Sequence, residues 1–155
     1  MRIVTISEDA GTGDLLALDR QVCFAVAVAS RTVVSLYRPL LEPMGLTHPQ
    51  YLVMLALWER EPARVSELAE RLSLEPATLS PLLKRLEAGG LVRRERDPRD
   101  ERAVSVSLTA AGRALRARAE SIPPAVLDRL GMQVEELEDL RDRLTTLIAA
   151  ARGSG

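Results

Sequence analysis

Cysteine, histidine, tryptophan and phenylalanine each occur once in this chain of 155 residues, and aromatic residues make up only 3% of it. The lone Cys23 excludes an internal disulfide and leaves two roles, a buried spectator or a reactive thiol. With His48 as the only imidazole, a metal site would have to be built from carboxylates, and no spaced carboxylate cluster suggests one. No metal and no other cofactor is therefore expected. Uninterrupted apolar runs near the roughly 18 residues that span a bilayer are missing, so no membrane partner is expected. The opening stretch MRIVTISEDAGTGD has no apolar h-region of a signal peptide, which points to the cytoplasm. An excess of one charge is also missing. With 21 basic against 22 acidic residues, the net charge is −1, and any nucleic-acid surface has to be local.

What is present reads as one domain, mainly helical. Residues 1–13 are aperiodic and predict a poorly ordered arm. An apolar-rich helix is expected from Leu15 to Leu41, ended by Pro39, Pro43 and Gly45, with Asp14 or Asp19 as its cap; Val22 to Ala29 is almost free of polar residues. A helix apolar all round must be covered on all sides, and in so short a chain that suggests a second subunit. Thr47 caps a helix through YLVMLALWER to about Glu61, and Ser66 is placed to cap a short helix carrying Val65, Leu68, Ala69 and Leu72. Pro76 starts the next, in which Leu79, Leu82, Leu83 and Leu86 form one inward stripe up to the stop at Gly89-Gly90. Two β-like runs, Leu91 to Arg96 and Ala103 to Leu108, flank a turn rich in Asp, Pro and Arg. Thr109 caps a helix broken near Pro123-Pro124. A last helix from about Gln133 to Arg152 carries Leu137, Leu140, Leu144, Leu147 and Ala151 as a pairing seam.

This order, helix, short helix, turn, amphipathic helix and charged hairpin, predicts a winged helix-turn-helix: mainly α with a small β-hairpin wing. The domain plan that follows has a flexible arm at 1–13, a helical dimerisation region at 14–61 and 109–152, and a DNA-binding lobe at 62–108. Residues 76–88 would be the recognition helix, presenting Thr78, Ser80, Lys84 and Arg85 to base edges and phosphates of double-stranded DNA. Between Lys84 and Arg102 there are seven basic and five acidic residues, so charge alone does not argue for DNA; a solvated hairpin face would look the same. The pattern VSELAERLSLEPATLSPLLKRLEAGGLVRRERDPRDERAVSVSLTAAG resembles the winged-helix core of MarR-family regulators. That resemblance implies that Arg102 is the wing-tip minor-groove arginine and that Asp100 helps to orient it. It also implies a homodimer on a pseudo-palindromic operator.

A cysteine in a setting such as VCFAVAVAS is, on residues alone, more often an inert buried hydrophobe. However, LDRQVCFAVAVASRTVVSLYRPLLEPMGLTHPQYLVMLALWE resembles the OhrR-like, organic-hydroperoxide-responsive branch of the MarR family, in which the cysteine of an LxxQxCF motif is the reactive thiol. The resemblance makes Cys23 the redox sensor and Tyr37 a hydrogen-bonding partner of its sulfur. It places His48 where the branch usually has a second tyrosine, while Tyr51 is expected in the core. Cys23 and Tyr37 are fourteen residues apart, about 21 Å along one helix, so they can meet only between two chains. The implied cycle oxidises Cys23 to a sulfenic acid, completes it as a mixed disulfide with a small thiol or by overoxidation, overpacks the interface and releases the operator. Three alternatives stay open: a repressor released by a small aromatic or phenolic ligand with a structural cysteine, a thiol peroxidase, and a winged helix that binds protein. The reading adopted is a regulator and not an enzyme.

Overall fold

The computed structural model of the chain describes residues 14–154, so the expected arm at 1–13 lies outside the described residues. A 3-10 turn at Leu18–Arg20 precedes α1 (Val22–Leu41). This helix starts seven residues later than the apolar composition suggested. Gln21, in extended backbone, is its N-cap, and the Gln21 side-chain amide donates back to the carbonyls of Leu15 and Ala17 at 2.7 and 3.2 Å, closing the preceding loop. Neither Asp14 nor Asp19 occupies the cap position. Pro39 does not end α1, which runs two residues further before the 3-10 turn Glu42–Met44 and the left-handed Gly45, φ +68°.

Helix α2 (His48–Glu59) has the expected cap at Thr47, with Gln50 Oε1 accepting from Thr47 N at 3.0 Å and Thr47 Oγ1 accepting from Gln50 N at 3.4 Å. A short strand that the sequence did not announce, β1 (Ala63–Arg64), leads into α3 (Val65–Leu72). The cap expected at Ser66 is displaced, because the residue in N-cap geometry is Arg64. Helix α4 (Pro76–Ala88) buries Leu79, Leu82, Leu83 and Leu86, as their spacing predicted. The first hairpin strand is shifted by one residue from its β-like run, and the second starts three residues earlier than expected. β2 (Val92–Asp97) and β3 (Asp100–Leu108) leave a loop of only Pro98-Arg99, and β3 lies between β1 and β2 in an antiparallel sheet. Thr109 caps α5 (Ala110–Ala119) by accepting from Gly112 N at 3.1 Å. The helical break falls at Glu120-Ser121, and Pro123 and Pro124 sit in the first turn of α6 (Ile122–Leu130), where a missing N–H costs no hydrogen bond. Helix α7 (Val134–Gly153) closes the described chain.

One core runs from Leu41 to Val126, with Met54 and Leu57 of α2 joined to Leu68, Leu79, Leu83, Val92, Val106 and Ile122. The expected boundary between 61 and 62 therefore passes through shared packing, and α2 belongs to the body of the lobe. A tight seam joins α2 to α5, where Trp58 Nε1 donates to the Gly112 carbonyl at 2.9 Å. Gly112 lies so close to the residue preceding β2 that a Cβ there would collide with the Leu91 carbonyl oxygen.

The two long flanking helices differ from this body. In α1 only Leu41 is buried, in α7 no residue is, and Val22, Val26, Val28, Val33, Leu140, Leu144, Leu147 and Ile148 face outward. By length and composition alone Val22–Met44 would also meet the requirement for a membrane span, although no uninterrupted apolar run of spanning length exists there. Arg31 and Arg38 interrupt it, and a helix at a subunit interface has the same composition.

Candidate nucleic-acid interface and thiol site

A groove of about 480 Å³ lies between α4 and the hairpin, and among the residues lining it are Ser80, Asp100, Arg102, Arg64 and Arg94. It brings together one member of the proposed recognition helix and both wing residues. Thr78, Lys84 and Arg85 are exposed on the same helix outside that lining, whereas Ser80 is half-buried. Asp100 Oδ1 accepts from Arg102 N at 3.0 Å, so the carboxylate fixes the backbone from which the Arg102 side chain springs.

The hairpin arginines divide into committed and uncommitted groups. Glu87 on α4 accepts from Arg94 N, Nε and Nη2 at 2.9, 3.3 and 3.0 Å, which binds the wing to the recognition helix. That side-chain bond to Arg94 is the main reason the Glu87 carboxyl lies below its ordinary range. Arg96 donates to the Glu101 carbonyl at 3.3 Å. Among the described residues, the side chains of Lys84, Arg85, Arg99 and Arg102 make no hydrogen bond or ion pair. Cations whose side chains spend no hydrogen bond or ion pair within the protein are available to phosphates. Arg64 and Asp97, which the sequence reading did not single out, form an ion pair at 2.7 Å across the sheet. The available signal was a long cation in a slot that Ser, Thr, Asp or Asn usually fill.

The thiol lies elsewhere. Cys23 is the second residue of α1 and exposed. No side chain caps this helix end and no acidic residue sits in its first turn, so its positive end is open beside the sulfur. Tyr37 is on the same unbroken helix, which keeps it about 21 Å from Cys23 within a protomer.

Tyr37 belongs to an aromatic cluster with the residue that was expected as its companion. Its ring centroid lies 5.0 Å from that of His48, edge to face, and 5.9 Å from that of Tyr51, while His48 and Tyr51 are 6.4 Å apart. Tyr51 is buried in the core, in line with expectation. Burial raises the Tyr37 hydroxyl above its ordinary pKa and does the same for Tyr51, with the neighbouring Tyr37 adding to it. Burial lowers His48 below 6.5. All three are neutral at pH 7, and both hydroxyls keep their protons. Among the described residues, none of the three side chains spends a donor on a hydrogen bond.

Comparison with known proteins places this arrangement. The family model described as the MarR family matches residues 46–104. The chain is 46% identical over 143 residues to the HTH-type transcriptional regulator TtmR of Methylorubrum extorquens, covering 92% of this chain and 73% of that one. It is 41% identical over 135 residues to the organic hydroperoxide resistance transcriptional regulator of Bacillus subtilis, covering 87% and 92%. Among solved structures it is similar to overoxidized AbfR bound to DNA, a protein of Staphylococcus epidermidis, at 35% identity and TM-score 0.66, covering 84% of this chain and 95% of that one. The helix order, the three-stranded wing and this level of identity over most of the length agree with the motifs read earlier, and the chain belongs to the MarR family of winged-helix transcriptional regulators.

Proposed function

We propose that the protein is a cytoplasmic, homodimeric repressor that binds a pseudo-palindromic operator and releases it when Cys23 is oxidised by an organic hydroperoxide. It consumes oxidant stoichiometrically and is not an enzyme. The observation that carries this reading is the placement of Cys23 and Tyr37 toward opposite ends of one exposed 20-residue helix, with the ring of His48 from α2 packed against Tyr37 and their donors unspent. Two such helices crossing antiparallel bring the thiol of one protomer to the aromatic cluster of the other. The hydroxyl of Tyr37 and a ring N–H of His48 then donate to the sulfur.

In the chemical step the Cys23 thiolate attacks the distal oxygen of the peroxide. The O–O bond breaks, an alcohol leaves after taking up a proton, and the sulfur becomes a sulfenic acid. A small thiol condenses with it, expelling water and forming a mixed disulfide. The similarity to an AbfR that is bound to DNA while overoxidized favours the bulky mixed disulfide over added oxygen atoms as the releasing form. Overpacking typically costs about 1 to 3 kcal/mol, and a hundredfold loss of operator affinity needs roughly 2.7 kcal/mol of coupling, so strain from two sites suffices. On DNA, Thr78, Ser80, Lys84 and Arg85 would face the major groove and Arg102, oriented by Asp100, the minor groove.

A second reading draws on a cavity of about 320 Å³ between α2, α5 and α6, which Tyr51, Trp58, Arg116 and Pro123 help to line. A small aromatic or phenolic ligand bound there would release DNA with Cys23 only structural. The separating experiment titrates operator binding with cumene hydroperoxide in the presence of a small thiol, for wild type and Cys23→Ser. Oxidative release confined to the wild type is expected. Release that persists in Cys23→Ser rejects the redox reading and leaves the ligand reading standing.

A further inference from the structure

The backbone of the hairpin tip is not a favoured two-residue turn. Pro98-Arg99 is a two-residue loop, and such loops suit paired strands when their central residues take positive φ. Proline is fixed near −65°, and Ser73 is the one non-glycine residue with positive φ among the described residues. The favoured primed turns are thus absent, and unprimed ones splay the strands. A register irregularity between Arg96 and Asp97 loosens the ladder at the same place. The strand ladder by itself therefore leaves the direction of the tip weakly set.

Asp97 is the one tip residue with a partner beyond the hairpin. Its side chain is only 12% exposed; Oδ1 accepts from Arg99 N at 2.9 Å and Oδ2 takes Arg64 Nε at 2.7 Å. Arg64 stands at the N-cap of α3 yet supplies no side-chain cap; the helix end is served in reverse by Glu67, which accepts from Arg64 N at 2.9 Å. A long cation at that position forgoes a cap in order to reach the far strand. Because β3 lies between β1 and β2, the pair ties the helix-turn-helix to the end of the wing.

We infer that Arg64 and Asp97 form a wing latch, a pair of positioning residues that holds Arg99 and Arg102 at a fixed height over the groove and so determines how the outer base pairs of a site are read. The inference rests on the DNA-binding reading above. It differs from a phosphate contact by Arg64 in a way that experiment can separate. Asp97→Asn removes the latch while making the surface more positive, so simple electrostatics predicts tighter binding and the latch predicts weaker binding.

The test uses the full-length protein and the duplex that wild type recovers from a randomised pool, followed by fluorescence anisotropy and amide exchange without DNA. For Asp97→Asn and Arg64→Met the latch requires a loss of affinity of about tenfold, because the binding-competent wing is less populated. It also requires faster exchange at residues 99–102 and a flattened preference at the outer base pairs, with the preference at the positions facing α4 retained. Arg64→Lys, which keeps a cation, should bind within about threefold of wild type. Equal or tighter binding by Asp97→Asn overturns the latch, as does a loss spread evenly over inner and outer base pairs. If wild type itself selects no duplex, the DNA-binding reading falls first.

Discussion

The reading lobe and the flanking helices solve opposite problems. From α2 to α6 the chain buries its leucines against its own α4 and β-strands, whereas α1 and α7, 20 residues each, turn valines and leucines outward. Fully burying each such side chain is worth about 1.5–3 kcal/mol, and long helices gain most of their stability from a packed face. The lobe therefore folds on contacts already in the chain, while the flanks reach the same condition only in the proposed dimer. The regulator is one polypeptide with two sources of stability, one local and one shared.

The sharpest way to break this contrast is to charge the shared part. Leu144→Asp with Leu147→Asp should yield monomers by light scattering and weaken operator binding about a hundredfold or more, since two linked lobes gain that much from avidity. A dimer that survives both changes would mean that α7 is not part of the interface. Next comes the local part. Gly112→Ala sets a Cβ against the Leu91 carbonyl oxygen and should cost about 2–3 kcal/mol, lowering the thermal midpoint by roughly 5–10 °C while the oligomer persists at high concentration. A smaller loss, about 1 kcal/mol, is expected for Thr47→Ala, which removes one half of the α2 capping box and is read by the same melting experiment. The smallest effect is in pH. Burial holds His48 below 6.5, so the unfolded chain binds the proton more readily, and stability is complete above about pH 6.5 and declines as pH falls through the folded value. His48→Gln should abolish whatever change in midpoint occurs between pH 7.5 and 5.5. An unaltered slope would assign that change to other groups.

Periodicity made the lobe readable. The leucine stripe of α4, Thr47 and Thr109 as caps, and a charged hairpin after Gly89-Gly90 all reappear where their spacing put them. Helix ends were less legible where a side chain bends back on the loop before it. Gln21 does this at α1, and a composition-based start at Leu15 missed it by seven residues. The cap at Ser66 failed for a related reason, because Glu67 serves the helix end from inside and frees Arg64 for a contact 33 positions away. Long-range pairs of this kind leave no periodic trace. The aromatic cluster was half legible: Tyr37 and His48 entered through motif resemblance, while the nearness of Tyr51 to both depends on how α1 meets α2.

The indole of Trp58 has a practical consequence. It is the sole tryptophan of the chain, and its N–H is committed to the Gly112 carbonyl at the seam between α2 and α5. Intrinsic fluorescence excited at the red edge is thus a private optical channel onto that seam, blind to α1 and α7 themselves. If oxidation at Cys23 is felt in the lobe, the emission band will move without any attached dye; if it stays still while DNA is released, the signal has travelled around the seam rather than through it.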